Sequence, residues 1–176
     1  MPINLMLQPL VQLNSQPSQL SSNLQPINGM NVNCVAMPVS QRNYCLFNQT
    51  KVDFFVKQKE AGLPYLKEVL KHSNNEAQIT ETLYILNRMQ DSGTKGIDKM
   101  YPLLSRFNGT NSPNIQTFLA GIYRKIQVPD AFGPLVAMLI RNSIKPPQAC
   151  FDPNEEVGGA ILEYIRNRNA TEAYKN

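Results

Sequence analysis

The residue types that most often perform catalysis or bind metals are sparse in this chain. There is one histidine, His72, and there are three cysteines, Cys34, Cys45 and Cys150. A structural zinc site takes four Cys or His ligands, typically in closely spaced pairs, and these residues are scattered along the chain. A thiol nucleophile at Cys150 with His72 as its base is formally possible, but no other residue of the sequence supports that pairing. We therefore predict no metal site and no cofactor.

Other candidates for chemistry are better explained by helix structure. Asp152 and Glu155 flank a proline at positions typical of a helix start, which favours capping over a pair of acid/base carboxylates. Gly158-Gly159 lies inside a predicted helix and has no Gly-Lys-Ser/Thr after it, so it is not a phosphate-binding loop. His72 ends a predicted helix, where a cation is favoured by the helix dipole. The sequence thus predicts a protein that is not an enzyme.

Basic and aromatic residues recur at related positions of two predicted helices. Arg88 and Arg124 are separated by one repeat of the sequence described below, and a tyrosine or a lysine accompanies each of them. A basic surface flanked by aromatic rings suits an acidic peptide or a phosphate backbone. The alternative is that these are ordinary solvated residues opposite an apolar stripe. The candidate partner-binding residues are Tyr84, Arg88, Tyr123, Arg124 and Lys125.

Charge is distributed very unevenly along the 176 residues. Charged side chains make up 17% of the chain and give a net charge of +4, yet residues 1–50 contain only one of them, Arg42. That stretch is rich in Gln, Asn, Ser and Pro, a composition that buries too little apolar surface to offset the entropy of ordering. We therefore predict two parts: residues 1–50 form a flexible or extended N-terminal arm, and residues 51–176 form a folded domain.

Composition also excludes several classes of protein and indicates a location. Three cysteines are too few for a disulfide framework, and no stretch has the roughly 18 uninterrupted apolar residues of a membrane-spanning helix. The first residues lack the basic and apolar regions of a Sec signal peptide, which predicts a cytoplasmic protein. The alternative is secretion without a Sec signal. Uncharged starts rich in Ser, Asn, Gln and Pro resemble the N-terminal signals of bacterial proteins exported by needle-type secretion systems.

Apolar residues after position 50 recur with the 3.6-residue period of helices, and no segment shows the alternation of a strand. Prolines near helix starts and Asn- or Gly-rich breaks separate the periodic segments. We therefore predict an all-α domain of about seven helices. The predicted helices cover 51–59, 63–72, 76–89, 97–107, 113–126, 131–140 and 153–166.

These helices form an internal repeat of about 35 residues. The first helix of each pair has an early proline, at Pro64, Pro102 and Pro134. The second helices align at an offset of 36 residues, a length typical of stacked helical repeats. The aligned pairs are Ile79 with Ile115, Leu83 with Leu119, Leu86 with Ile122, and Arg88 with Arg124.

The repeat resembles HEAT/armadillo-type helical repeats over about residues 62–142. The stretch 63–76, Leu-Pro-Tyr-Leu-Lys-Glu-Val-Leu-Lys-His-Ser-Asn-Asn-Glu, is similar to their first helix and the turn that follows. The spacing is shorter than in that family, and the second helices lack its typical Asp and Val-Arg. The resemblance implies a short right-handed α-solenoid with terminal caps at 52–59 and 157–165. An irregular helical bundle is the alternative.

A short solenoid without a catalytic constellation favours a binding role. We expect a non-enzymatic scaffold that binds a protein or peptide on the surface of its stacked second helices. One alternative is a nucleic-acid-binding protein that uses the face of Arg88, Arg124 and Lys125. Another is an exported bacterial effector or adaptor with an uncharged N-terminal signal. The sequence does not predict an oligomeric state.

Overall fold

The fold was analysed in a computed structural model that describes residues 47–146 and 152–173, with side chains described up to residue 168. All regular structure in these residues is helical, which confirms the all-α class. Six helices have ten or more residues and one helical segment has four. They are α1 (Gln49–Gln58), α2 (Leu63–His72), α3 (Glu76–Asp91), α4 (Tyr101–Leu104), α5 (Pro113–Ile126), α6 (Phe132–Ile144) and α7 (Pro153–Ala173). The predicted arm lies outside the described residues except for its last four positions.

Side-chain caps explain where several helices begin. Asn48, Asn75 and Ser112 each accept a hydrogen bond from the backbone N–H three residues later, at the starts of α1, α3 and α5. Each bond satisfies a donor that has no partner within its helix. Ser112 followed by Pro113 was predicted as a helix start, and this is confirmed. Asp152 Oδ1 likewise accepts from the Asn154 N–H at 2.9 Å, as its predicted capping role requires.

The predicted helix over 97–107 is wrong as a continuous element. The structure has a 3-10 turn at Asp98–Met100, the four-residue α4, and a second 3-10 turn at Ser105–Phe107. The cause is Pro102, which lacks an N–H and cannot donate to the carbonyl of Asp98 as a continuous α-helix requires. The α-helix therefore begins at Tyr101, where a proline in the first turn is tolerated.

The helices pack in a regular order. α1 packs against α3, α3 against α5, and α5 against α7, so these four helices form one row. α2 packs against α3 and α4, whereas α6 packs against α7. The six aligned apolar residues of the second helices are all buried, as the repeat predicts. They are Ile79, Leu83 and Leu86 on α3 and Ile115, Leu119 and Ile122 on α5.

Arginine side chains tie successive first helices together. Arg106 donates to the carbonyls of Leu70 and Lys71 at the C-terminus of α2. Arg141 on α6 donates in the same way to the carbonyl of Asn108, just after α4 and its 3-10 turn, at 2.7 Å. These carbonyls have no partner within their own helical segments. A cationic side chain also suits the negative end of a helix dipole, so both bonds stabilise the packing.

Candidate functional site

Close packing of α3 and α5 creates the surface on which most of the predicted residues lie. Asn87 on α3 donates its side-chain N–H to the carbonyl of Phe118 at 2.7 Å and to the carbonyl of Leu83 at 3.2 Å. Gly121 lies opposite: a Cβ atom at this position would be 2.7 Å from Oδ1 of Asn87. The absence of a side chain at Gly121 leaves room for the Asn87 amide in this hydrogen-bonded position. The contact fixes Tyr84 and Phe118 next to one another.

Three aromatic rings from three parts of the chain meet at this contact. Phe47, just before α1, stacks on Tyr84 with ring centroids 4.4 Å apart and planes 12° apart. Phe118 contacts Phe47 and Tyr84 edge to face, at 5.7 and 5.4 Å. Stacked and edge-to-face pairs are the favourable geometries for aromatic rings. We call Phe47, Tyr84 and Phe118 the aromatic cluster; Tyr84 and Phe118 are buried in it, and Phe47 is half-buried.

Arg88 lies one helical turn after Tyr84, on the same side of α3. Its side chain is half-buried. Within residues 47–146 and 152–168, Arg88 forms no ion pair, and its buried Nε atom makes no hydrogen bond. The donors that remain for an acceptor on another molecule are those of its two Nη atoms, since Nε is buried.

The other two basic residues of the predicted site have acidic partners within the fold. Nη1 of Arg124 lies 3.3 Å from a carboxylate oxygen of Glu156 on α7. Nζ of Lys125 lies 2.5 Å from Oδ1 of Asp91, at the end of α3. The two cations thus link α5 to both of its neighbours in the row. Their charges are partly neutralised, which weakens the continuous basic face that the nucleic-acid alternative needs.

Tyr123 occupies the interior and not a shared surface with Tyr84. It is completely buried, its hydroxyl donates to Oδ1 of Asn108 at 2.6 Å, and its ring lies 5.6 Å from that of Tyr101. Burial raises the pKa of its hydroxyl well above the ordinary value, and the neighbouring Tyr101 and Tyr164 raise it further. The structure therefore brings Tyr84 and Arg88 together on α3 and separates Tyr123 from them.

Two residues of the site were not among those predicted. Phe47 falls within the part of the chain predicted to be the arm, and Phe118 was counted only as an apolar position of its helix. The asparagine that caps α1 and the helical period of α5 are in the sequence, but neither indicates that the two rings meet. The partner-binding role of Tyr84, Arg88, Tyr123, Arg124 and Lys125 stays a prediction.

Residues considered for catalysis have structural contacts where they are described. His72 is exposed at the end of α2, with Nε2 3.2 Å from a carboxylate oxygen of Glu68 one turn earlier. Among the described residues, no three His, Cys, Asp or Glu side chains form a group that could hold a metal. The three cysteines lie outside the described residues. The candidate pair of Cys150 with His72 therefore lies outside them too.

The described helices include no membrane span, and the chain has no significant match among known proteins. Within the described ranges, every helix is too short or too polar to cross a bilayer, in agreement with the sequence-based prediction. Comparisons with protein-family models, with curated proteins and with solved structures give no significant match. The functional proposal therefore depends on the residues and contacts of this chain itself.

Proposed function

We propose that this chain is a non-enzymatic scaffold that binds a protein or peptide partner on the surface formed by α3 and α5. The observation that carries the proposal is the seating of Phe47 on Tyr84 and Phe118. Phe47 precedes α1 and belongs to neither α3 nor α5, so this surface accepts an aromatic ring from another chain segment. A half-buried ring beside a cationic side chain is typical of the anchors that dominate binding energy at protein interfaces.

The chemistry of the surface defines the partner. The exposed part of Phe47 offers an apolar contact, and Arg88, one turn from Tyr84, offers a guanidinium without an acidic partner in the described fold. A segment that carries an apolar or aromatic side chain close to an aspartate or glutamate fits both features. An arginine–carboxylate pair also gives directional specificity through two parallel hydrogen bonds.

The solenoid arrangement is part of the proposal. Its support is the row α1, α3, α5 and α7, in which each helix packs on the next. Further support comes from the repeated arginine contacts of Arg106 and Arg141 with the preceding first helices. In helical repeats such stacking places one side of the second helices along an extended binding surface. The right-handed twist remains a prediction from the resemblance to HEAT/armadillo repeats.

A displayed library of random peptides tests the proposal. Selection on the full chain is expected to enrich peptides with an aromatic residue and an acidic residue a few positions apart. Binding of the enriched peptides should be lost in Arg88→Ala and retained in Arg124→Ala, the matched control whose wild-type cation is already paired with Glu156. Enrichment of no motif, or equal loss in both variants, would contradict the proposal.

Nucleic-acid binding remains the alternative, and the salt dependence of binding separates it from peptide recognition. Pairing of Arg124 with Glu156 and of Lys125 with Asp91 leaves few phosphate contacts on this face. We expect affinity for duplex DNA or RNA to be weak at physiological salt. A tight complex whose log affinity falls steeply with log salt concentration would favour the alternative. Export as an effector or adaptor concerns the N-terminal arm, which lies outside the described residues, and it stays an unproven alternative.

A further inference from the structure

The two ends of the helix row differ in polarity. In the described part of the chain, the large hydrophobic side chains that are exposed all belong to the last two helices. Ile140 is 55% and Ile144 is 80% exposed on α6, and Leu162 is 62% and Ile165 is 43% exposed on α7. At the other end, the exposed side chains of α1 and α2 are mostly charged. The charged or ionisable ones are Asp53, Lys57, Lys67, Glu68, Lys71 and His72.

The contacts of α7 show which of its sides is free. Glu156 pairs with Arg124, and Asn167 donates to Oε1 of Gln127 at 2.9 Å, so this side of α7 faces α5. Helical periodicity places Gly158, Leu162 and Ile165 on the opposite side. That is the side on which a further helix of the row would pack. A solenoid cap needs a polar outer side, and the helix predicted as the C-terminal cap has an apolar one here.

The free side of α6 adjoins that of α7. Arg141 reaches back to Asn108 after α4, and Val136 and Leu139 lie on the other side of the helix, with Ile140 beside them. α6 and α7 are antiparallel neighbours: Asn142 donates to Oδ1 of Asn154 at 2.8 Å, and Phe132 packs on Tyr164. Together these positions form one apolar region, with the exposed charged residues Glu155 and Arg166 at its two ends along α7. This end surface consists of Val136, Leu139, Ile140, Gly158, Leu162 and Ile165.

We propose that the end surface pairs with the same surface of a second copy of this chain, which gives a symmetric homodimer. Within the molecule, a helix pair is covered by the next helix pair, so the fitting occupant is again two packed helices. A head-to-tail contact would place the apolar end on the charged side chains of α1 and α2, which burial disfavours. A contact between identical surfaces closes by two-fold symmetry, and an antiparallel arrangement of the two α7 helices sets Glu155 of one copy near Arg166 of the other.

Gly158 leaves room for a close approach at this surface. A Cβ atom added there would meet nothing within 4 Å, and its backbone does not adopt a positive φ. Neither packing nor backbone conformation in the single chain therefore requires glycine. In a helix interior a glycine costs roughly 1 kcal/mol relative to alanine. A position without a side chain lets the backbone of a partner helix come close.

Sedimentation of the full chain from low to high micromolar concentration tests the proposal, and does so independently of the peptide-binding site. The wild-type chain is expected to reach twice its monomer mass of 19.8 kDa. Leu162→Glu is expected to weaken dimerisation at least tenfold, since it buries an unpaired carboxylate at the contact. Thr50→Glu, which adds the same charge on exposed α1, is the control and should leave the dimer intact.

A second variant keeps the test valid if Leu162→Glu does not fold. Gly158→Leu adds a side chain into space that is open in the single chain, so the monomer should stay folded by circular dichroism while the dimer is lost. A wild-type chain that stays monomeric would overturn the proposal. The occupant of the end surface would then be residues 1–46 or another protein. A dimer that survives both Leu162→Glu and Gly158→Leu, or one that Thr50→Glu dissociates equally, would overturn it too.

Discussion

Gly121 on α5 and Asn87 on α3 approach so closely that a methyl group at position 121 would lie 2.7 Å from the asparagine Oδ1 atom. We predict that Gly121→Ala lowers the free energy of unfolding by about 1–3 kcal/mol, because the new methyl group displaces the Asn87 amide from its hydrogen bond to the Phe118 carbonyl. This opposes the intrinsic preference of helices for alanine, which is about 1 kcal/mol. Urea denaturation measures the change.

Gly133→Ala is the matched control for that substitution. Gly133 also lies in a helix, but a Cβ atom there would meet nothing within 4 Å. The control variant should be neutral or stabilised by up to about 1 kcal/mol. Equal effects of the two substitutions would show that the contact between α3 and α5 is not as close as described.

The ion pair of Lys51 with Glu81 joins α1 to α3 and is largely buried. The two side chains are 4% and 13% exposed, and Nζ lies 2.5 Å from a carboxylate oxygen. Lys51→Met should lower the free energy of unfolding by about 3–5 kcal/mol, since it leaves the carboxylate unpaired. The double variant Lys51→Met/Glu81→Leu should recover most of that loss in the same urea experiment. A double variant as unstable as the single one would contradict the prediction.

Phe47 should stabilise the domain although it lies in the part of the chain predicted to be the arm. Phe47→Ala removes a ring stacked on Tyr84, and we expect a loss of about 1–2 kcal/mol in the free energy of unfolding. Faster hydrogen exchange in α1 should accompany this loss, because the ring helps to anchor the start of that helix. Unchanged stability and exchange would mean that the ring is not seated on α3 in solution.

Tyr123 should make the stability of the domain sensitive to alkaline pH. Because burial raises the pKa of its hydroxyl above the unfolded value of 10.0, the neutral hydroxyl contributes stability that is complete below about pH 10. That contribution is lost as pH rises further. Near neutral pH, Tyr123→Phe should cost about 1 kcal/mol, since the bond to Asn108 is lost.

Above about pH 10 the same substitution should become favourable. Phenylalanine carries no hydroxyl to ionise, so the variant should lose less stability than the wild-type chain as pH rises. Urea midpoints for both chains on each side of pH 10 measure this change. A stability difference that is the same at all pH values would contradict the burial of Tyr123.

Helix positions follow from local features of the sequence, and these were predicted well. The apolar stripes of α3 and α5, Ser112 with Pro113, and the limits of α2 all reflect spacing and capping within a few residues. The segment around Pro102 was predicted less well, because an apolar stripe does not reveal that the proline lacks a backbone N–H donor. The solenoid arrangement was predicted from repeat spacing alone and is still a proposal.

The site was predicted only in part because burial depends on neighbours that spacing does not reveal. α5 lies in the row between α3 and α7, and most of its residues from Asn114 to Tyr123 are buried. A tyrosine on a helix enclosed in this way becomes a core residue, so Tyr123 is buried although it directly precedes the half-buried Arg124. Contacts such as that of Phe47 with Tyr84 join residues far apart in sequence, and no local pattern indicates them.

The central claim is that Arg88, beside the aromatic cluster, binds an acidic residue of a partner segment. Its most direct test is a calorimetric titration of one selected peptide, with an aromatic and an acidic residue, into the wild-type chain, Arg88→Ala and Arg124→Ala. We predict at least tenfold weaker binding for Arg88→Ala, which corresponds to about 1.4 kcal/mol, and unchanged affinity for Arg124→Ala. Unchanged affinity in Arg88→Ala, with all three proteins folded, would contradict the claim.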